Sequence, residues 1–329
     1  MKYRIAPYWW PLLAATSPAL VPYLAIQARK FTAGVKEAEA RNAARLEKAA
    51  PLELPARQRF ELTVIVDHRH ADGFIGDAAV VYQLRHERGV MLMDVGFGPE
   101  RPAFAHNAAN LGIDPAAWQA LFISHLHPDH MGGLTAVRRK SVLIPPGFAP
   151  PQDLPCYLPA PCATPGLTAE VIDAPRALPT GFASTGPLAR MLCFTGITEE
   201  QAVIARLAGK GLVIVTGCGH PTIEVIIQMV RRLSAEPIHA IIGGLHFPIT
   251  QSRGAKLGIE FQQIIGTGKG WWERIDDRDL DRTIRSLNES GAERILLSAH
   301  DTCDHSLQRI AAEVKAQVEV LTAGVTYTL

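Results

Sequence analysis

Residues 121–134 read LFISHLHPDHMGGL, and this stretch limits what the chain can fold into more than any other. The apolar run Leu121, Phe122, Ile123 has the character of a buried strand reaching its end, and Met131-Gly132-Gly133 lets the backbone turn tightly into the next element. Between them His125, His127, Asp129 and His130 fall within six residues. A loop at a strand end can aim His125 and His127 at one ion and Asp129 and His130 at a second, because imidazole and carboxylate are ligands that zinc accepts. Two metals sharing a hydroxide would provide a nucleophile at neutral pH. The competing reading is a polar loop with chance histidines; three of the twelve histidines gathered in one short loop weigh against it.

The string His125-Leu126-His127-Pro128-Asp129-His130, followed by Gly132-Gly133, resembles the HxHxDH signature of the metallo-β-lactamase fold superfamily. The resemblance implies an α/β protein built as a four-layer αββα sandwich around two divalent metal ions, zinc first and manganese or iron as alternatives. Met93-Asp94-Val95-Gly96 lies ahead of the histidines in the strand order, as an aspartate does in that superfamily. Asp94 is then expected beneath the ligands, accepting a hydrogen bond from an imidazole and fixing its tautomer. A turn aspartate capping local amides is the alternative.

Composition permits a compact enzyme. The 329 residues are 47% hydrophobic, ample for a core, and 33 basic against 32 acidic residues leave a net charge of +1. Nothing in that balance favours nucleic acid as a partner. Five cysteines do not make a disulfide framework; Cys156 and Cys162 either pair in an oxidising compartment or remain free thiols.

The chain divides into three parts. In residues 1–30, positions 5–26 carry no charge and are flanked by Lys2 and Arg4 before and Arg29 and Lys30 after, the length of a membrane segment. Pro7, Pro11, Pro18 and Pro22 argue against a straight helix, so a kinked span and an interfacial helix with Trp9 and Trp10 at headgroup depth are both open. With no small-residue cleavage site before Arg29, a retained cell-membrane anchor is preferred to a signal peptide, and the basic residues that follow place the catalytic body weakly on the cytoplasmic side. Residues 31–58 read as an exposed helical stalk with a solvated charged face. Residues 59–329 are the catalytic domain.

Strands are expected at 60–66, 78–85 and 90–94, with a loop at 67–73 whose His68 and His70 could overhang the site. A helix closed by Gly112 and a second short helix around Trp118 lead into the metal loop. Residues 142–189 are proline-rich, hold no histidine, and read as a surface excursion. Many superfamily members place their next metal histidine there, so this chain must find it elsewhere. Three later apolar strands each end in histidine beside small residues: 211–216 into Gly217-Cys218-Gly219-His220, 237–242 into Gly243-Gly244-Leu245-His246, and 294–297 into Ser298-Ala299-His300. Residues 247–275, with Trp271-Trp272, read as a lid, 276–290 as a helix ended by Gly291, and 318–328 as a closing strand.

TGCGH, GGLHF, the late strand ending in histidine and NAANLGID ahead of the motif are similar to the branch of metal-dependent hydrolases grouped with dihydropterin ribofuranosylaminobenzene phosphate synthase. By order along the chain, His220 completes the first site with His125 and His127, and His300 joins Asp129 and His130 at the second. Cys218 is either a thiolate ligand or an inert buried thiol. His246 is a further ligand or, with Asp129, a proton-handling catalytic group. The reading is a dinuclear hydrolase acting on an ester, lactone or phosphodiester, with a small-molecule or lipid-like substrate. The alternatives are a phosphate-synthase-like transferase, whose anionic substrate would meet Arg253, Lys256 or Lys269, and an iron redox protein.

Overall fold

Side chains along the inner strands alternate between two apolar layers. In the strand Gly211–Val215, Val213 and Val215 face one core while Leu212 and Ile214 face another; in Ala120–Phe122, Ala120 and Phe122 face inward and Leu121 outward. Strands that are apolar on both faces must be covered on both, which forces a layered arrangement. The computed structural model describes residues 3–329; Lys2, the basic flank expected before the apolar segment, lies outside them.

Two sheets pack face to face. The first has the order Thr326–Thr328, Glu61–Val66, Val81–His86, Gly89–Met93, Ala120–Phe122, Pro155–Leu158, Thr168–Val171. The second runs Gln317–Val320, Arg294–Leu297, Ile238–Gly243, Gly211–Val215, Val203–Leu207, Ala183–Ser184, Arg176–Ala177, with Ala56–Arg57 paired beside Val203–Leu207. Phe60, Leu62, Tyr82, Met93, Phe122 and Tyr157 of the first meet Val213, Val215, Ile242 and Leu296 of the second in a shared core. Helices Ile223–Leu233, Asp277–Ser290 and Asp304–Glu313 cover the outer face of the second sheet, and Ala103–Asn110 and Leu134–Arg139 that of the first. These are the four layers of an αββα sandwich. Asp277–Ser290 begins in a capping box at Asp276 and stops at Gly291 with φ 75°, so both of its ends are written in the sequence.

Three expectations need correction. The closing segment at 318–328 is two strands: Gln317–Val320 lies in the second sheet and Thr326–Thr328 crosses to the first, so the chain end stitches the sandwich. The proline-rich segment is no mere excursion, since Pro155–Leu158 and Thr168–Val171 extend the first sheet before Ala183–Ser184 joins the second. The short helix expected around Trp118 is a single 3₁₀ turn, Pro115–Ala117, and Trp118 follows it, buried.

The stalk reading also fails. One helix runs Ser17–Lys48, and its buried positions Phe31, Gly34, Ala38 and Asn42 repeat every three or four residues, a stripe seated on the hairpin Leu188–Leu192/Gly196–Glu200. Asn42 donates to Ala189 O at 2.8 Å and accepts from Ala189 N at 2.7 Å. Arg41 and Arg45, read as solvated, both pair with Glu199. Among the described residues no single helix is long and apolar enough to cross a membrane; Pro7–Ala15 with Ser17–Lys48 passes that test only as a pair bent by 96°. All five cysteines are free.

Candidate metal centre

The parallel strands Gly211–Val215, Ile238–Gly243 and Arg294–Leu297 deliver His220, His246 and His300 to one edge of the sandwich, where the loop after Ala120–Phe122 brings His125, His127, Asp129 and His130. The approach is close: a Cβ on Gly217 would lie 2.3 Å from Ser124 Oγ, so only glycine lets the two loops meet. Ligand atoms of His125, His127 and His220 lie within 4.8 Å of one another, as do those of Asp129, His130, Cys218 and His300, and those of Cys218, His220 and His246. His68 and His70 are in none of these groups.

Five imidazoles share one pattern: one ring nitrogen is held by the protein and the other points into the cluster. His130 Nδ1 meets Asp94 Oδ2 at 2.7 Å, His125 Nδ1 meets Ser124 Oγ at 3.0 Å, and His300 Nδ1 meets Ser298 Oγ at 2.6 Å. His127 Nε2 meets Thr198 Oγ1 at 3.1 Å and His220 Nδ1 meets Gly266 O at 3.0 Å. On the other side, His127 Nδ1 and His220 Nε2 are 3.1 Å apart, and Cys218 Sγ lies 3.2 Å from both His130 Nε2 and His300 Nε2. His125 Nε2 is buried with no hydrogen-bond partner. An orphaned imidazole nitrogen among converging neighbours is the mark of a cation-binding donor set, so the residues fit bound metal.

Electrostatics agree. Burial, reinforced by the neighbouring imidazoles, holds His125, His220 and His300 well below the usual histidine range. Burial brings His127 down to about 4. Neutral imidazole is the ligating form. Burial also pulls on His130, but Asp129 and Asp94 outweigh it and hold that ring up at about 9. Cys218 is pushed well above the thiol range by burial and then by surrounding carboxylates, so only a cation at its sulfur would make it a thiolate. His246, with φ 55° and a buried Nδ1 that has no partner, is brought to about 4 by burial. It is therefore a neutral ring at pH 7.

Asp94 lies beneath the ligands as expected, while the roles of Asp67 and Glu200 emerge only from the structure. Asp94 accepts from Ser124 N and Ser124 Oγ, both at 2.7 Å. Asp67, at the end of the first-sheet strand Glu61–Val66, reaches across to the second sheet, accepting from Ser298 Oγ at 2.5 Å and Ala299 N at 3.0 Å. Two series run from an aspartate through a serine to a histidine of the cluster: Asp94-Ser124-His125 within the first sheet, and Asp67-Ser298-His300 from the first sheet to the second. The pairs Ser124-His125 and Ser298-Ala299-His300 were visible as strings, though not what they bind. Glu200 left no such signal: its buried carboxylate accepts from Gly217 N, Gly219 N and His220 N at 3.1, 2.8 and 2.8 Å, fixing the whole His220 loop from the hairpin. Arg253 is structural, tied to Ala299 O, Thr302 O and Asp304, and Lys269 pairs with Asp279.

Residues 49–149 match the model of the metallo-β-lactamase superfamily. The matched span takes in the first-sheet strands from Glu61–Val66 to Ala120–Phe122 and the His125–His130 loop, and the fold as a whole has the metallo-β-lactamase architecture. Among solved structures the chain is similar to Tm1679, a metal-dependent hydrolase of the β-lactamase superfamily, at 18% identity and TM-score 0.57 over 82% of this chain and 98% of that one. It is also similar to the metallo-β-lactamase fold protein YhfI from Bacillus subtilis, at 15% identity and TM-score 0.49 over 83% and 100%. Human tRNase Z, short form, aligns at 12% identity and TM-score 0.45 over 81% and 98%. No curated protein matches by sequence.

Proposed function

We propose that this protein is a dinuclear metal hydrolase in which His125, His127 and His220 hold one ion, Asp129, His130 and His300 hold the second, and the Cys218 sulfur lies between them. The observation that carries the reading is the convergence of five protein-anchored imidazoles on two adjoining groups. Imidazole, thiolate and carboxylate donors favour zinc, with manganese or iron as lesser candidates. The bound ions would supply a nucleophile from water and polarise an ester, lactone or phosphodiester. The chain's own residues do the rest. Asp94, Asp67 and Glu200 hold the ligand rings in place, and buried His246 is a neutral proton acceptor or further ligand. Asp129, whose side chain is 18% exposed, faces the substrate side and carries the proton outward.

The N-terminal segment supports an amphipathic substrate and a membrane surface as partner. It is built onto the lid: Ala6 N donates to Gly258 O at 2.8 Å, Trp9 Nε1 to Leu257 O at 2.9 Å, and Tyr8 Oη to Leu257 O at 2.6 Å. Tyr8 and Leu257 are exposed at this junction, and Trp10, Leu12, Val21 and Tyr23 are exposed along the segment that follows, the composition of an interfacial segment at the membrane rather than of a span.

The test is elemental analysis of the full-length protein with and without His127→Ala, beside chromogenic phosphodiester, ester and lactone substrates. About two zinc equivalents, lost together with hydrolysis in the variant, are expected. Protein that binds no metal on reconstitution sinks the proposal, and two equivalents of iron without hydrolysis move it to the redox alternative.

A further inference from the structure

A cavity of about 300 Å³ opens beside the metal centre. His220 and His246 line it, together with the charged side chains Arg190, Lys269, Arg282, Glu224 and Asp279. Most of these charges are already matched. Asp279 takes Lys269 Nζ at 2.7 Å and also pairs with Arg282, while Glu224 accepts from Thr283 Oγ1 at 2.8 Å. Arg190 differs: its guanidinium, partly enclosed and open to the cavity, has no hydrogen bond and no carboxylate within ion-pair distance among the described residues, although Glu224, Glu39, Asp279 and Arg282 all face it from further away. Burial without a close partner pulls its pKa down. A cation partly withdrawn from water and without a close carboxylate favours an anionic partner, and arginine is the side chain best shaped to grip a carboxylate or phosphate.

Its place in the fold is as specific as its charge. Arg190 rises from the hairpin strand Leu188–Leu192 and packs on Gly268 of the lid, where a Cβ would come within 2.1 Å of its Nε. Two residues earlier, Gly266 packs on the His246 ring and accepts from His220. Two residues of chain span at most about 7 Å, so the guanidinium stands one small-molecule length from the metal-facing rings. The helix Ile223–Leu233 starts in the same wall, and its first-turn amides add positive potential.

We infer that Arg190 and the start of the helix Ile223–Leu233 form a substrate subsite for a single anionic group, a carboxylate or a phosphate, set across the cavity from the bond that is cleaved. The inference rests on the proposed hydrolase reading for what is cleaved, but the anion site stands on its own geometry.

The experiment titrates the full-length protein as purified, with its metal content measured, with inorganic phosphate and separately with acetate by calorimetry. Wild type, Arg190→Met and Arg190→Lys are compared, and the variants also hydrolyse paired chromogenic esters with and without a terminal carboxylate or phosphate. Anion capture by bound metal is common to all three proteins, so the difference belongs to Arg190. Arg190→Met is expected to weaken one of the two anions, and to raise KM for the matching charged ester relative to its neutral partner, by roughly 10- to 100-fold, with kcat little changed and Arg190→Lys recovering part of the loss. Whichever anion responds names the group. Should Arg190→Met fail to fold, Thr267→Glu supplies a carboxylate from the cavity wall and is expected to displace the anion with Arg190 in place. Arg190-dependent binding with no hydrolysis of any ester defeats the hydrolase reading and leaves the subsite standing. Equal anion affinity in wild type and variants, or no preference for charged esters, overturns the subsite.

Discussion

Replacing Glu200 by glutamine keeps size and shape and changes one hydrogen-bonding partner. Oε1 accepts from Gly217 N and Gly219 N, and Oε2 accepts from His220 N. Glutamine can keep the first two bonds, but its amide NH₂ must then face the His220 N–H, donor against donor. The variant loses one bond to a charged acceptor, about 1.5–3 kcal/mol, and leaves a buried N–H unpaired, while it gains by no longer burying a charge. A net loss of about 2 kcal/mol follows. At roughly 2.1 cal/mol/K per residue over 329 residues, the unfolding entropy is about 0.7 kcal/mol/K, so the melting temperature should fall by about 3 °C. The functional effect is larger, because an outer partner of a ligand typically contributes 10- to 100-fold to metal affinity. Calorimetric melting of metal-free protein and competition against a chelator measure the two effects. An unchanged melting temperature with unchanged metal affinity would refute the view that this carboxylate holds the His220 loop.

Asn42→Leu removes both bonds to Ala189 and leaves a buried amide and carbonyl unpaired, about 1–3 kcal/mol for each group. Hydrogen exchange should quicken along Ser17–Lys48 and in the hairpin beneath it; protection unchanged in both would mean that the helix does not depend on this seat. Asp67 gives a pH signature. Burial pushes its carboxyl from 3.8 up to about 6 against the pull of Ser298, Ala299, His68 and Tyr82. The folded state therefore holds the proton more tightly than the unfolded state. This contribution is full below about pH 4 and is lost as pH rises through 6, a change of about 3 kcal/mol. Asp67→Asn should flatten that part of the stability–pH curve in urea melts of metal-free protein, and a slope identical to wild type would contradict the assignment.

The sandwich was legible because its strands are short, apolar and bounded by glycine, and because each of three late strands runs into histidine. The helix Asp277–Ser290 was legible from its apolar spacing and its stop at Gly291. Sequence order alone cannot say where a segment packs. Nothing in residues 155–171 announces that they extend the first sheet, since the two strands there are four residues each and are separated by proline-rich chain, and nothing in the alanine-rich N-terminal stretch announces its seat on the hairpin. Asn42 and Glu199 read as ordinary helix and strand polars until they are brought to their partners.

The sequence by itself determined the chemistry. Histidine, aspartate and cysteine at strand ends are local features, set by residue type and spacing within a few positions. Tertiary structure decided everything that depends on two distant segments meeting: Cys218 between His130 and His300, Glu200 against the amides of Gly217, Gly219 and His220, and Arg190 enclosed beneath Gly268 without a close anion. Burial is the physical reason. It turns a common polar side chain into an organising or substrate-seeking one, and it exists only once the sheets and helices have closed around it.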